Sequence, residues 1–241
     1  MNYVLIFAGG TGQRMKSSNN IPKQFLKISN KPIIIHTLDN FENSKDIDGI
    51  IIVCIESWIK KLKNMLKKFN ITKVIDIIPG GKTGFDSRIF GLRHLYNITD
   101  KTKDNIVLLH DGVRPIITEK LISENIQKVK QFGNAITMGR ATETISIINE
   151  DSSIKTTLDR NLCRFARAPQ SFYLKEILDA YEKAKQDNRE DLIDSASVFE
   201  YVGKKLYTIN GPEENIKITT PLDYFVFKGL ISSVKNKKFK L

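Results

Sequence analysis

The stretch YVLIFAGGTGQRMK, residues 3–16, begins as an apolar strand, turns through a glycine-rich loop and ends in the basic side chains Arg14 and Lys16. Glycines in the loop leave the backbone N–H groups uncovered, so that these groups can approach a phosphate closely. Ligands of open α/β sheets bind beyond the carboxyl ends of the strands, which is where this loop begins. The stretch therefore predicts an α/β fold with a phosphate site at the end of its first strand.

Short apolar runs alternate along the first half of the chain with segments of helical period. The runs are YVLIFA (3–8), GIIIVCI (49–55), KVIDII (73–78) and NIVLLH (105–110). The helical period is clearest at residues 57–69, where apolar residues recur at intervals of three and four while lysines fill the other face. This alternation predicts βαβ units around a buried, mostly parallel central sheet.

Beyond residue 135 the pattern changes, because strands follow one another without a helix between them. The segments with this extended pattern are AITMG (135–139), TISII (144–148) and KTTLDR (155–160). We expect an arm at about residues 139–165, inserted into a single α/β domain that spans residues 1–241.

The rest of the chain returns to helices and strands. We expect helices at 174–185 and 194–202, strands at 205–209 and 215–219, and a final helix. The start of that last helix is well specified, with Thr220 as N-cap, Pro221 in the first turn and Asp223 completing a capping box.

The formal net charge of +11 comes from lysines scattered along the chain, with one dense basic run in the tail VKNKKFKL (234–241). A basic chain can bind nucleic acid, an anionic membrane or small phosphorylated ligands. No RNA-reading motif, zinc finger or helix-turn-helix pattern accompanies the charge, so we expect no nucleic-acid partner. No apolar run reaches the ~18 residues of a membrane helix, so we expect a cytoplasmic protein without a membrane partner. Cys54 and Cys163 have neither metal nor disulfide spacing.

Two familiar phosphate-binding loops do not fit the opening stretch. A P-loop needs Gly-Lys followed by Ser or Thr, and the dinucleotide fingerprint needs a third glycine where this chain has Met15. A plain glycine turn remains an alternative for this segment alone. The motif PKQF (22–25) favours a phosphate site, because Pro22 fixes the backbone and directs Lys23 towards the loop, where cations suit a triphosphate.

Five motifs, in this order and at these separations, resemble the family of CTP-dependent cytidylyltransferases. They are AGGTGQRM…PKQF, PGGKTGFDS, LHDGVRP, TLDRNLCRFARAPQSF and NIKITTP. The family includes the 2-C-methyl-D-erythritol 4-phosphate enzyme of isoprenoid synthesis and the ribitol 5-phosphate enzyme of teichoic acid and capsule synthesis. The resemblance covers nearly the whole chain and implies a Rossmann-like nucleotidyltransferase domain, an arm used in dimerisation, and Mg²⁺ as cofactor.

The resemblance also implies roles for individual residues. The catalytic cations that bind and polarise the triphosphate fall on Arg14, Lys23 and Lys217. The nucleotide-binding positions fall on Ala8, Gly9, Gly10, Thr11, Gly12, Gly80, Gly81, Ser87 and Gly112, with the Ser87 side chain on the base. The acceptor-binding positions fall on Asp111, Thr144 and Arg160, the last two reaching the acceptor phosphate across a dimer interface.

Asp111 is also the candidate magnesium ligand, and Arg114 is the candidate ion-pair residue of the same motif. The sequence departs from relatives at Lys82, where Asp is frequent, and at Ser195, where the methylerythritol enzymes commonly carry Glu. Asp194 matches an acidic position at a helix start.

The expected reaction is in-line attack by the acceptor phosphate on the α-phosphorus of CTP, with pyrophosphate leaving. The acceptor phosphate is already ionised, so cations rather than a general base are required. FAGGTGQRM, HDGVRP and KITTPLD look closer to the ribitol branch, which makes D-ribitol 5-phosphate the expected acceptor and CDP-ribitol the product. The alternatives are 2-C-methyl-D-erythritol 4-phosphate as acceptor, another nucleotide base, and a non-catalytic protein that binds nucleotides or nucleic acid.

Overall fold

The computed structural model describes residues 1–10, 15 and 21–235. The strands within them are β1 (Asn2–Ala8), β2 (Lys27–Ile28), β3 (Lys31–Pro32), β4 (Gly49–Cys54), β5 (Val74–Pro79), β6 (Ile106–Asp111), β7 (Asn134–Arg140), β8 (Ser146–Ile148), β9 (Ile154–Thr157), β10 (Arg164–Tyr173) and β11 (Thr208–Asn210). The helices are α1 (Ile33–Asn43), α2 (Ile59–Lys68), α3 (Gly84–Ile98), α4 (Glu119–Phe132), α5 (Leu174–Gln186), α6 (Ser195–Tyr201) and α7 (Pro221–Lys235).

A seven-stranded sheet in the order β11-β7-β10-β6-β1-β4-β5 forms the centre of the fold. Its strands pair in parallel except for β10, which runs antiparallel to both of its neighbours. The four apolar runs of the first half form β1, β4, β5 and β6, which confirms the predicted mostly parallel α/β sheet.

Helices cover both faces of the sheet, so the central strands are buried on both sides. Alternate residues of β1 show this division, since Val4 and Ile6 join one apolar cluster while Tyr3 and Leu5 join another. Helices α1, α2 and α4 pack on the first face, and α3, α5 and α6 pack on the second. Burial on both faces explains why the strands are continuous apolar runs.

The segment between β7 and β10 stands apart from the central sheet. Its strands β8 and β9 pair with each other in an antiparallel hairpin, and every residue of both strands is exposed. The apolar side chains of this segment therefore lie on the surface of the chain.

The prediction of a strand at 215–219 is wrong, because this segment runs as a loop. One backbone bond, 2.9 Å from the Ile218 N–H to the Val113 carbonyl, attaches it to the loop after β6. The Ile218 side chain is buried in a small cluster with Val113 and Phe227 of α7. The apolar residue that suggested a strand packs a loop instead.

Helix α7 starts as the sequence predicts. The Asp223 carboxylate accepts from the Thr220 N–H at 2.7 Å, and the Thr220 hydroxyl accepts from the Asp223 N–H at 3.3 Å. This capping box fixes the chain direction directly after the loop that carries Lys217.

Candidate active site

Strands β1, β5 and β6 end at one edge of the sheet because they run parallel. A cavity of about 410 Å³, here called the loop cavity, lies beyond this edge. Its lining includes Ala8, the last residue of β1, and Gly9 and Gly10 directly after it, together with Lys23 and Ser87. With Gly81, Asp111 and Lys217, which also line it, eight of the predicted site residues are brought together around one space.

Buried Gln24 holds the glycine-rich loop in place. Its side-chain amide donates to the Ala8 carbonyl at 2.6 Å and to the Gly10 carbonyl at 3.1 Å. These bonds fix the chain on either side of Gly9 and set the neighbouring Lys23 in the cavity wall. Gln24 belongs to the PKQF motif, but the sequence alone indicates no role for it.

The loop after β5 is organised around the Ser87 hydroxyl. That hydroxyl accepts from the Gly81 N–H at 3.1 Å and donates to the Thr83 carbonyl at 3.0 Å. A Cβ on Gly80 would come within 3.1 Å of the same oxygen, so glycine allows this close approach. Ser87 therefore uses its proton within the loop and can offer a remaining lone pair to a ligand.

Asp111, at the end of β6, is the centre of an ion network. Lys217 Nζ lies 2.7 Å from its Oδ1, and Arg114 Nε lies 2.9 Å from its Oδ2. Burial opposes ionisation of Asp111, but the charges of Lys217 and Arg114 outweigh it and hold the pKa of the carboxyl well below its usual range. Arg114 thus lies in the ion pair that the sequence predicts for it. Its guanidinium also donates to the Asn215 carbonyl at 2.8 Å, which ties Arg114 to the loop of Lys217.

His110 lies beneath this network and packs edge-on against Phe41. Its Nε2 is 3.0 Å from the Arg114 carbonyl, which requires an N–H at that atom. Burial lowers the pKa of His110 to about 4. A neutral, buried imidazole supports the fold at this point.

A second cavity of about 270 Å³, here called the side cavity, adjoins the loop cavity. The two share four lining residues, here called the junction: Phe7, Arg88, Asp111 and Lys217. The side cavity continues past Arg114 to Arg167 and Gln170, to which the family resemblance assigns no role, and to Asp194, which matches an acidic position at a helix start.

The polar groups of the side cavity are held by hydrogen bonds. Gln170 Nε2 donates to Asp194 Oδ2 at 2.7 Å, and the other Asp194 oxygen accepts from the Ser197 N–H at 2.9 Å as the cap of α6. Arg167 donates to the carbonyl oxygens of Pro212 and Glu213. The cavity thus presents fixed cations and an oriented carboxylate to a ligand.

Other predicted site residues lie elsewhere. Arg14, Thr11 and Gly12 fall outside the described residues. Gly112 is buried under the end of β1, where a Cβ would approach the Phe7 carbonyl to 3.0 Å. Its tight packing explains the glycine without any ligand.

Thr144 and Arg160 are exposed on the segment between β7 and β10. Within the described residues, neither lines the loop cavity or the side cavity of its own chain. Arg160 donates to the Thr142 carbonyl at 3.1 Å and borders a small cavity with Arg140 and Arg164.

Asp111 is the predicted magnesium ligand, but it does not belong to a cluster of metal-binding side chains among the described residues. No group of three or more His, Cys, Asp or Glu side chains among them could hold a metal ion. Mg²⁺ is often held by one or two carboxylates together with substrate phosphates, and a single carboxylate at the junction fits that pattern.

Comparison with known proteins identifies relatives along nearly the whole length. A family model described as IspD: 2-C-methyl-D-erythritol 4-phosphate cytidylyltransferase matches residues 2–232. A ribitol-5-phosphate cytidylyltransferase of Vibrio parahaemolyticus is 46% identical over 98% of this chain and 98% of its own. A 2-C-methyl-D-erythritol 4-phosphate cytidylyltransferase of Clostridium botulinum is 38% identical over 97% of this chain and 98% of its own.

The fold has solved counterparts as well. The crystal structure of 4-diphosphocytidyl-2C-methyl-D-erythritolsynthase from Anaerococcus prevotii superimposes with a TM-score of 0.81 at 27% identity, covering 96% of this chain and 98% of the other. Across residues 1–10, 15 and 21–235, none of the helices has the length and apolar character needed to cross a membrane.

Proposed function

The chain belongs to the family of 2-C-methyl-D-erythritol 4-phosphate cytidylyltransferases, which are nucleotidyltransferase enzymes, and we propose that it transfers CMP from CTP to D-ribitol 5-phosphate. The products are CDP-ribitol and pyrophosphate.

The junction between the two cavities carries the proposal. A CTP molecule whose phosphates follow the bare backbone of Gly9 and Gly10 has its α-phosphorus near the junction, and an acceptor in the side cavity meets it there. Lys217 and Asp111 line both cavities, which supports a reaction at that point.

The charge of the side cavity suits a phosphorylated acceptor. Its described lining contains two more cations than carboxylates, with Arg88, Arg114, Arg167 and Lys217 against Asp111 and Asp194. A phosphate monoester carries a charge of roughly −2 near neutral pH, which balances this excess. The hydrogen-bonded Gln170 and Asp194 offer donors and acceptors to polyol hydroxyls.

The choice of ribitol over methylerythritol rests on relatives and on sequence. The ribitol 5-phosphate relative from Vibrio parahaemolyticus is more similar to this chain than the methylerythritol relative from Clostridium botulinum. The motifs FAGGTGQRM, HDGVRP and KITTPLD point the same way. 2-C-methyl-D-erythritol 4-phosphate stays the second candidate, because the family model carries its name.

In the proposed mechanism an oxygen of the acceptor phosphate attacks the α-phosphorus in line. A P–O bond forms there while the bond to the β-phosphate oxygen breaks, and pyrophosphate takes the electron pair. No side chain needs to move a proton, since the attacking oxygen is already ionised. Lys23 and Lys217 neutralise the charge that builds on the phosphates, and Asp111 orients Lys217 through their 2.7 Å contact. Mg²⁺ would supply further neutralisation and orient the leaving group, held by the phosphates and Asp111.

A homodimer is part of the proposal, and the exposed arm supports it. Apolar side chains of the arm are open to solvent in the single chain, including Ile148 at 64%, Ile154 at 68% and Leu162 at 83% exposed. Exposed apolar patches of this kind are typical of protein interfaces. In such a dimer Thr144 and Arg160 would reach the partner's acceptor phosphate. We also assign the reaction to the cytoplasm, where CTP is available.

The proposal is tested by product identification. The chain is incubated with CTP, Mg²⁺ and ribitol 5-phosphate, and mass spectrometry must detect CDP-ribitol in one-to-one ratio with pyrophosphate. Lys23→Met should lower turnover on the order of 10²-fold, whereas Lys27→Met, an exposed lysine outside both cavities, should leave it unchanged. Absence of CDP-ribitol from the folded protein would contradict the proposed function.

A further inference from the structure

Arg88 occupies the junction between the loop cavity and the side cavity. It lies in the second turn of α3 and lines both spaces. Directly before it, the Thr83 capping box fixes the start of α3, with the Thr83 hydroxyl accepting from the Asp86 N–H at 3.0 Å. The position of Arg88 is therefore set by the same loop that surrounds Ser87.

The Arg88 guanidinium has donors to spare. The side chain is half-buried, and its guanidinium carbon lies 5.8 Å from the centre of the Phe7 ring. Across residues 1–10, 15 and 21–235, no hydrogen bond and no ion pair within 4.0 Å engages it. An arginine in this state presents five N–H donors in a planar fork, a geometry that matches phosphate oxygens.

Neighbouring carboxylates are already engaged by other groups. Asp111 contacts Lys217 and Arg114 through its two oxygens. Asp194 accepts from Gln170 and Ser197. Burial opposes ionisation of Asp194, yet these hydrogen bonds and the more distant charge of Arg88 keep its pKa below the usual value. The charge of Arg88 thus acts on the cavity without being neutralised by a contacting carboxylate in the described residues.

The Arg88 guanidinium lies next to the first residue of α3. Gly84 has no side chain, and a Cβ built there would lie 3.4 Å from Arg88 Nη1. The guanidinium therefore extends over the first turn of the helix, on the side of the loop cavity that Gly84 also lines.

We propose that Arg88 is a further catalytic residue, which binds the acceptor phosphate at the junction and holds it against the α-phosphorus of CTP. This inference rests on the proposed function. Arg88 transfers no proton. It neutralises the attacking phosphate as the new P–O bond forms and pyrophosphate departs, and its fork fixes the direction of attack.

The experiment compares Arg88→Ala and Arg88→Lys with Arg93→Ala. Arg93 lies on the same helix but pairs with Glu182 at 2.6 Å and lines neither cavity, which makes it a matched control. Steady-state kinetics with CTP and ribitol 5-phosphate give kcat and the two KM values, and thermal unfolding reports the fold of each variant.

We expect Arg88→Ala to lower kcat/KM for the acceptor by about 100-fold or more, the scale of one lost transition-state donor. The KM for CTP should change less than about threefold, methylguanidinium should restore part of the activity, and Arg88→Lys should retain an intermediate rate. Arg93→Ala should keep its kinetics. If Arg88 had a purely structural role, its replacement would lower the thermal stability or change both KM values together, and methylguanidinium would not restore activity.

A folded Arg88→Ala protein with kcat/KM within about threefold of the unchanged chain would overturn the inference. A decrease in kcat/KM that methylguanidinium does not restore, and that accompanies a decrease in thermal stability, would overturn it as well. The proposed function is judged separately, on the unchanged chain. If that chain uses 2-C-methyl-D-erythritol 4-phosphate instead, the same variants measured with that acceptor still decide the role of Arg88.

Discussion

Asp111→Asn should destabilise the chain far more than the removal of a surface ion pair of similar geometry. The Asp111 carboxylate is 22% exposed, and its partner Arg114 is only 10% exposed. An asparagine amide at this position keeps one acceptor oxygen but turns an NH₂ group towards a cation. One cation of the network is then left facing a donor, in a place where water cannot fully solvate it.

The expected loss of stability in Asp111→Asn follows from the burial of this ion pair. Removing one partner of a buried ion pair costs about 3 kcal/mol or more, because the remaining charge is uncompensated. For a chain of this length each kcal/mol lowers the midpoint of thermal unfolding by about 2–4 °C, so the expected decrease in Tm is about 6–12 °C.

The assay is thermal unfolding at pH 7, with Asp191→Asn as the control. Asp191 pairs with Arg189 at 2.8 Å, yet it is 64% exposed, and exposed pairs contribute little to stability. The Asp191→Asn protein should therefore unfold at the same temperature as the unchanged chain. Equal shifts for the two variants, or no shift for Asp111→Asn, would refute the view that burial gives the junction network its stability.

The difference in stability between the unchanged chain and Asp111→Asn should change with pH in a defined direction. The pKa of Asp111 is lowered by folding, so its stabilisation is fully present above the unfolded value of about 4 and is lost as the pH falls through the depressed folded value. The gap in stability between the unchanged chain and Asp111→Asn should accordingly narrow below about pH 4. A gap that widens on acidification would contradict this assignment of charge.

Further predictions concern one cation, one glycine and one thiol. Lys217→Met should lower kcat on the order of 10²-fold in the pyrophosphate-release assay, because a transition-state cation at the junction is lost; a rate within threefold of normal would exclude that role. Gly112→Ala should lower the urea midpoint through the 3.0 Å approach to a carbonyl, whereas Gly229→Ala, with open space around its Cβ, should not. Burial raises the pKa of the Cys54 thiol to about 11, so at pH 8 a thiol reagent should modify partly exposed Cys163 first and Cys54 only after unfolding; equal rates would contradict the buried position.

Much of the fold could be predicted from the sequence because its signals are local. The apolar runs of β1, β4, β5 and β6 are long and uninterrupted, as strands buried on both faces must be. The last helix was predicted from its capping residues. The loop at 215–219 was mistaken for a strand, because an apolar residue such as Ile218 looks the same whether it packs in a sheet or beneath a loop.

The site was predictable only where a motif marked it. Lys23, Ser87 and Lys217 were found through motifs, and they line the loop cavity together. Arg88 was missed because its importance comes from lying between two cavities, a property of tertiary structure. The adjacent PGGKTGFDS motif was the available signal, since it ends one residue before Arg88.

The acceptor preference tests the central claim most directly. Pyrophosphate release would be measured with CTP and Mg²⁺, comparing ribitol 5-phosphate with 2-C-methyl-D-erythritol 4-phosphate at equal concentrations. We predict that kcat/KM is larger for ribitol 5-phosphate by about 100-fold, which corresponds to about 2.7 kcal/mol of transition-state discrimination. A preference for 2-C-methyl-D-erythritol 4-phosphate, or no pyrophosphate with either acceptor, would contradict it.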